Sequence, residues 1–274
     1  MKRILTLMLV LSALSGLFLT SCGDDDSTES ESGSSTDGTA AAAPLLGLEG
    51  SITVSGAQSL ADALGRIGED FMAANPAVEV SFTFDSSATL ATQILEGAPA
   101  DVIMFASSAE MIRLTDAGLI AGKPVVFARN KLIIITKPGN PERIGSLADL
   151  ADAGVISLCG EGVPCGRYAK AALTTAGVVL PESNVTRGRN AGATLIAVAE
   201  GDAAAGIVYV TDALGAGDTV DSVELPDGEN VVADYPIGVL EASTSSAIAD
   251  AFRSYVLSDE GQTTLADFGF LGPT

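Results

Sequence analysis

The chain has 274 residues, 47% of them apolar and 18% charged, enough to bury a substantial core in one two-lobed unit or two small domains and too apolar to stay disordered. Fourteen basic residues against 35 acidic ones give a formal charge of −21, which leaves no positive field for a phosphate backbone and removes nucleic acid as an expected partner. The absence of histidine excludes Ser-His-Asp and Cys-His catalysis and histidine-ligated metals, and three cysteines cannot complete a four-thiolate site.

Lys2 and Arg3 precede an apolar run from Ile4 to Leu19, which is short for a bilayer span of ~20 residues and is arranged as an export signal. The run ends at Leu19-Thr20-Ser21-Cys22, which resembles the lipobox of bacterial lipoproteins. That resemblance implies a signal peptide over residues 1–22, lipid on Cys22, and an exported protein anchored at the outer face of the cell membrane; an ordinary cleaved signal is the other reading. From Gly23 to about Ala43 the residues are small, polar or acidic, so a flexible acidic tether is expected over residues 23–47. An exported setting permits disulfides, and with Cys22 lipidated, Cys159 and Cys165 remain as a candidate bridge. Two free thiols or a small-metal site are the alternatives at that pair.

The body alternates strand and helix. Ile52-Thr53-Val54 reads as a strand, and Leu60, Ala63, Leu64, Ile67 and Phe71 at steps of three and four predict a helix with Ser59 at its N-cap. Val78, Val80, Phe82 and Phe84 alternate as a half-buried strand, which passes through Asp85-Ser86-Ser87 into a helix carrying Leu90, Ile94 and Leu95. Further strands are expected at Val102–Phe105, Leu132–Ile135, Val155–Leu158, Gly206–Val210 and Tyr235–Leu240. Helices are expected at Ala109–Ala117, Arg167–Thr175 and Ala191–Glu200, with a last one carrying Ile248, Ala251, Phe252, Tyr255 and Val256. This order predicts an α/β protein of mostly parallel sheets flanked by helices. No dinucleotide fingerprint, Walker loop or nucleophile elbow is present.

In such sheets ligands bind beyond the carboxyl ends of the strands, where helix N-termini present unpaired N–H groups. Ser59 and Ser87 both fall there, either as simple N-caps or as hydroxyl donors suited to an oxyanion. Tyr209, on an apolar strand, reads either as a core tyrosine or as a phenolic donor. Asp85 would repel a fully ionised anion and would suit only a ligand that keeps a proton, such as hydrogen phosphate; Asp101 is read as structural.

Several segments in order resemble the molybdate-binding lipoproteins and periplasmic proteins that serve ABC transporters, of the type II periplasmic binding protein family. These are Ile52-Thr53-Val54 leading to Gln58-Ser59-Leu60, then Asp85-Ser86-Ser87-Ala88-Thr89-Leu90, Glu96-Gly97-Ala98-Pro99-Ala100-Asp101-Val102, Val163-Pro164-Cys165-Gly166-Arg167-Tyr168-Ala169-Lys170, Gly206-Ile207-Val208-Tyr209 and Ala266-Asp267-Phe268-Gly269-Phe270. The resemblance implies two lobes, residues 48–128 with 213–274 and residues 129–212, and a tetrahedral dianion held in the cleft between them by neutral donors only. Carried over by position, Ser59 and Ser87 give hydroxyl and backbone donors, Cys165 and Ala191 backbone N–H groups, and Tyr209 its phenol. Asn190-Ala191-Gly192 stands where the family usually has Asn-Val-Arg. The implied function is capture of molybdate, with tungstate, and delivery to an ABC transporter permease by a monomer that is not an enzyme, uses no cofactor, and holds molybdenum only as the bound oxyanion. The alternatives are a receptor for phosphate or sulfate on the same fold, and a lipid-anchored phosphoesterase using Ser59 or Ser87 as nucleophile.

Overall fold

The computed structural model describes residues 47–274; the expected signal peptide, the lipidated Cys22 and the tether as far as residue 46 lie outside the described residues. Two sheets share one long strand. In the first, β1 (Gly50–Ala57), β2 (Val78–Asp85) and β3 (Val102–Met104) run parallel in the order β2-β1-β3. Helices α1 (Ala61–Ala74), α2 (Ser87–Leu95) and α3 (Ser108–Asp116) follow these strands in turn. The chain then enters β4 (Ile120–Thr136), whose first part pairs antiparallel with β9 (Val232–Leu240), which itself pairs antiparallel with β3.

The second sheet begins on the same strand. Leu132–Thr136 of β4 pairs antiparallel with β7 (Ala205–Tyr209) and, over Ile133–Thr136, with β8 (Asp221–Glu224). Beyond β7, strands β5 (Ile156–Cys159) and β6 (Val185–Gly188) run parallel to it. Helices α4 (Pro164–Thr175), α5 (Ala191–Ala199) and α6 (Val210–Ala216) follow β5, β6 and β7, and α7 (Ser246–Val256) and α8 (Asp259–Asp267) close the chain over the first sheet. Parallel pairs are thus confined to the outer strands of each sheet, and the shared centre is antiparallel.

The chain leaves the first sheet inside β4, near residues 131–132. After it, β8 still pairs with the second sheet and only β9 rejoins the first. Asp-Ser-Val-Glu at 221–224 carries one partly covered apolar residue and therefore no readable alternation. The first half of β4 was equally silent in the sequence. It contains Gly122, at φ +65°, and Pro124, and the strand shifts register between Ala121 and Val125 and between Val126 and Ala128. Leu271 steadies this crossing strand by exchanging two backbone hydrogen bonds of 2.8 Å with Arg129.

Around the crossing, Phe127, Tyr209 and Phe270 each pack edge-on against Tyr235, with ring centroids 5.3–6.4 Å apart. Tyr235 is fully buried, so the centre of the molecule holds its ring rigidly while its hydroxyl reaches toward the strand ends. Among the described residues no helix is long and apolar enough to cross a membrane.

Candidate functional site

The carboxyl ends of β1, β2, β5, β6 and β7 converge, and the chain leaves each of them into a helical turn. The local starts differ from the expected N-caps. A single 3-10 turn, Gln58–Leu60, precedes α1, and no side-chain hydrogen bond from Ser59 caps either element. Ser59 Oγ instead lies 2.8 Å from the Tyr235 hydroxyl. At α2 the cap is Ser86, whose Oγ accepts from the Thr89 N–H at 3.1 Å, and Ser87 is the first helical residue. Freed from capping, the buried Ser87 Oγ accepts from the Ala106 N–H at 2.9 Å, which leaves its own proton to donate elsewhere.

On the second sheet, Pro164 opens α4 and has no N–H, so the first donor this helix presents is the Cys165 N–H. The chain there is tight: a Cβ at Gly166 would come within 2.0 Å of the Gly160 carbonyl oxygen. Cys159, at the end of β5, and Cys165 form a disulfide, the candidate bridge among the sequence readings of that pair. At α5 the cap is Asn190, whose Oδ1 accepts from the Ala193 N–H at 2.9 Å, and the Ala191 N–H is left without an intrahelical acceptor.

Ser59, Ser87, Cys165, Ala191 and Tyr209 line one cavity together with Ser86 and Asn190. It offers about 20 Å³ to the centre of a water-sized sphere; by the same measure ~10–15 Å³ admits one water. The space is thus of a size that suits a compact ion. No lysine, arginine, aspartate or glutamate lines it. The Tyr209 hydroxyl is buried without a hydrogen-bond partner among the described residues. Burial also pushes its titration well above the ordinary tyrosine range, so it remains a protonated donor at neutral pH.

A second layer was not legible in the sequence. Asn130 Nδ2 donates to Thr211 Oγ1 at 2.9 Å and reaches the Tyr235 hydroxyl at 3.4 Å. With Asn130 donating, Tyr235 can donate to Ser59, which turns the Ser59 proton toward the cavity. Asn130 and Tyr235 lie 105 positions apart, and nothing local marks either. Asn190, in contrast, stands as an ordinary N-cap before an apolar run, which was a usable signal.

The two acids singled out by sequence lie outside the lining. Asp85 Oδ1 accepts from the Ser86 N–H at 2.7 Å and from Asn190 Nδ2 at 3.0 Å. Asp101 accepts from the Thr53 N–H at 2.8 Å and from Ser243 Oγ at 2.6 Å, tying β1 to the turn after β9. The cavity thus combines hydroxyl groups with helix-start N–H groups drawn from both sheets, a donor set suited to an anion stripped of water.

The sequence profile of the bacterial extracellular solute-binding proteins matches residues 52–271. The chain belongs to that family. This solute-binding protein is 38% identical over 265 residues to the molybdate-binding protein ModA of Mycobacterium tuberculosis, covering 96% of this chain and 97% of that one. Its fold matches the periplasmic molybdate-binding protein of Azotobacter vinelandii with a TM-score of 0.74 at 20% identity, over 81% of this chain and 100% of that one. It matches the sulfate-binding protein SubI of Mycobacterium tuberculosis nearly as well, with a TM-score of 0.73 at 19% identity, over 80% and 86% of the two chains. These two likenesses are of fold alone, and they show a periplasmic-binding-protein-like α/β fold.

Proposed function

We propose that this solute-binding protein captures molybdate, and tungstate with it, between its two lobes and delivers it to an ABC transporter permease. The observation that carries the reading is the cavity itself: small, free of charged side chains, and holding a buried tyrosine hydroxyl with no partner among the described residues. A divalent oxyanion needs its lost hydration replaced by many donors. Ser59, Ser87 and Tyr209 supply hydroxyl groups, and Ser87, Cys165 and Ala191 supply N–H groups from the starts of α2, α4 and α5. The ModA relative and its near-complete mutual coverage support molybdate as the ligand.

The lobes in this reading are the elements on either side of β4 and β9, with those crossing strands as the hinge. Closure would be the signal that a permease reads. Lipid on Cys22 would hold a monomer at the outer membrane face, and the acidic tether would let it sample the permease.

Sulfate is the second reading, favoured by the equally good structural match to a sulfate-binding protein. It differs from molybdate mainly in size, so discrimination would come from donor placement. Hydrogen phosphate fits less well, because the acceptor it would require, Asp85, is turned to Asn190 and the Ser86 N–H. Hydrolysis at Ser59 or Ser87 lacks a base, since no ionisable side chain other than the tyrosine lines the cavity.

Thermal unfolding of the protein in molybdate, tungstate, sulfate or phosphate tests the reading. Ligand at 100 times its dissociation constant adds ~2.7 kcal/mol to stability, a rise of several degrees in midpoint. Stabilisation by molybdate and tungstate alone is the expected result. Stabilisation by sulfate but not molybdate would transfer the assignment, and no response to any of the four would remove it.

A further inference from the structure

Two hydrogen-bonded contacts join the two sheets across the cleft, and of their four residues only Asn190 lines the cavity. Arg167, in the first turn of α4, places Nη2 2.7 and 2.8 Å from the two carboxylate oxygens of Glu110 on α3. Its Nη1 donates to the Gly162 carbonyl at 2.8 Å, which aims the guanidinium across the cleft. The Glu110 side chain is only 4% exposed against 37% for Arg167, so the carboxylate is enclosed and the arginine forms its lid. The second contact is Asn190 Nδ2 to Asp85 Oδ1 at 3.0 Å, from the cap of α5 to the end of β2.

The pattern repeats on both helices. Each helix of the second lobe whose start offers an N–H to the cavity also carries, at its cap or in its first turn, a side chain that reaches a carboxylate of the first lobe. Neither carboxylate lines the cavity. Both contacts join elements of different sheets, so both break when the lobes part, and Glu110 and Asp85 then regain water.

We propose that Glu110–Arg167 and Asp85–Asn190 are closure clasps, positioning residues that set how long the bound oxyanion is retained without selecting which oxyanion is bound. The inference rests on the reading of the cleft as the ligand site. It also accounts for an acid beside an anion site: Asp85 is hydrogen-bonded by the opposite lobe's amide in the closed state and serves closure. The ligand's donors are neutral and identical for any tetrahedral dianion, whereas the clasps reward closure itself. Loss of a clasp should therefore raise the dissociation rate by the same factor for every ligand that closes the cleft.

The test is a double-mutant cycle on the whole protein with Arg167→Ala and Glu110→Gln, read by stopped-flow dissociation of molybdate, tungstate and sulfate. Each single variant is expected to dissociate about tenfold faster, as for loss of one charge-assisted contact, with the preference for molybdate over sulfate unchanged. The double variant should be no faster than either single one, because the partner is already gone. Asp85→Asn should shorten retention in the same ligand-independent way. Raised salt should speed dissociation from the wild type and leave the double variant unaffected. Far-UV circular dichroism and ligand-free unfolding confirm that the variants fold; Glu110→Gln is nearly isosteric and keeps the site filled.

Unchanged dissociation rates, additive single effects, or an altered ligand preference would overturn the clasps. Small-angle scattering of the ligand-free protein separates this outcome from failure of the molybdate reading. If no oxyanion binds, the functional reading fails, but the double variant should still be more expanded than the wild type, and identical profiles would remove the clasps as well.

Discussion

Replacing Tyr209 by phenylalanine removes one oxygen from the centre of the proposed site and nothing that the protein itself uses. The hydroxyl has no partner among the described residues, and the ring contact with Tyr235, at 5.9 Å between centroids, survives the change. A buried hydroxyl without a partner costs stability, so the ligand-free variant should be as stable as the wild type or more stable by up to ~1 kcal/mol. Toward the anion the effect reverses. A hydrogen bond to a charged group contributes ~1.5–3 kcal/mol, so the dissociation constant for molybdate should rise about 10- to 150-fold. At a ligand concentration that gives the wild type ~2.7 kcal/mol of stabilisation, the variant should keep only ~0.3–1.4 kcal/mol. Calorimetric titration with molybdate and thermal unfolding with and without it measure both halves. Wild-type affinity in Tyr209→Phe, or a ligand-free destabilisation above ~1 kcal/mol, would refute the assignment of this hydroxyl as a donor reserved for ligand.

Ser87→Ala should behave differently, weakening molybdate binding and also lowering ligand-free stability by ~1–3 kcal/mol, because the Ala106 N–H loses its acceptor; urea unfolding without ligand reads the second effect. Asp212 sits at the start of α6, where its carboxylate accepts from the Tyr209 N–H at 3.0 Å, and burial, opposed by that hydrogen bond and reinforced by Asp62, raises its titration from 3.8 to about 7. The folded state therefore holds this proton where the unfolded state has lost it, so the contribution of Asp212 to stability falls as pH rises from about 4 to about 7. Asp212→Asn keeps an acceptor for the Tyr209 N–H and should flatten that fall relative to wild type in urea midpoints taken across the range; an identical slope in both proteins would contradict the assignment. Reduction of Cys159–Cys165 opens a loop whose ends are six positions apart and should cost about 2 kcal/mol at most, seen as a lower unfolding midpoint with reductant; no change would mean that the bridge does not constrain the unfolded chain.

The alternation of apolar residues along Val78–Phe84 and the three-and-four spacing from Leu60 to Phe71 determined β2 and α1, because those periods depend only on which face of an element is buried. Motif order was equally informative for the site: the five residues read from it as donors line a single cavity. Which serine caps a helix was not readable from spacing. Ser86 and Ser87 are neighbours of the same type, and the cap is decided by where the backbone turns after β2. The antiparallel centre also escaped the sequence, since pairing of β4 with β9 joins residues such as Lys131 and Val232 that share no local signal. The same holds for Tyr235 behind Ser59 and for Arg167 over Glu110. Sequence by itself determined the periodic elements, and the resemblance of its motifs singled out the residues that line the cavity. Tertiary structure alone decided which hydroxyls are left free and which acids are taken up by the opposite sheet, because a hydrogen bond between distant segments depends on the packing that brings them together.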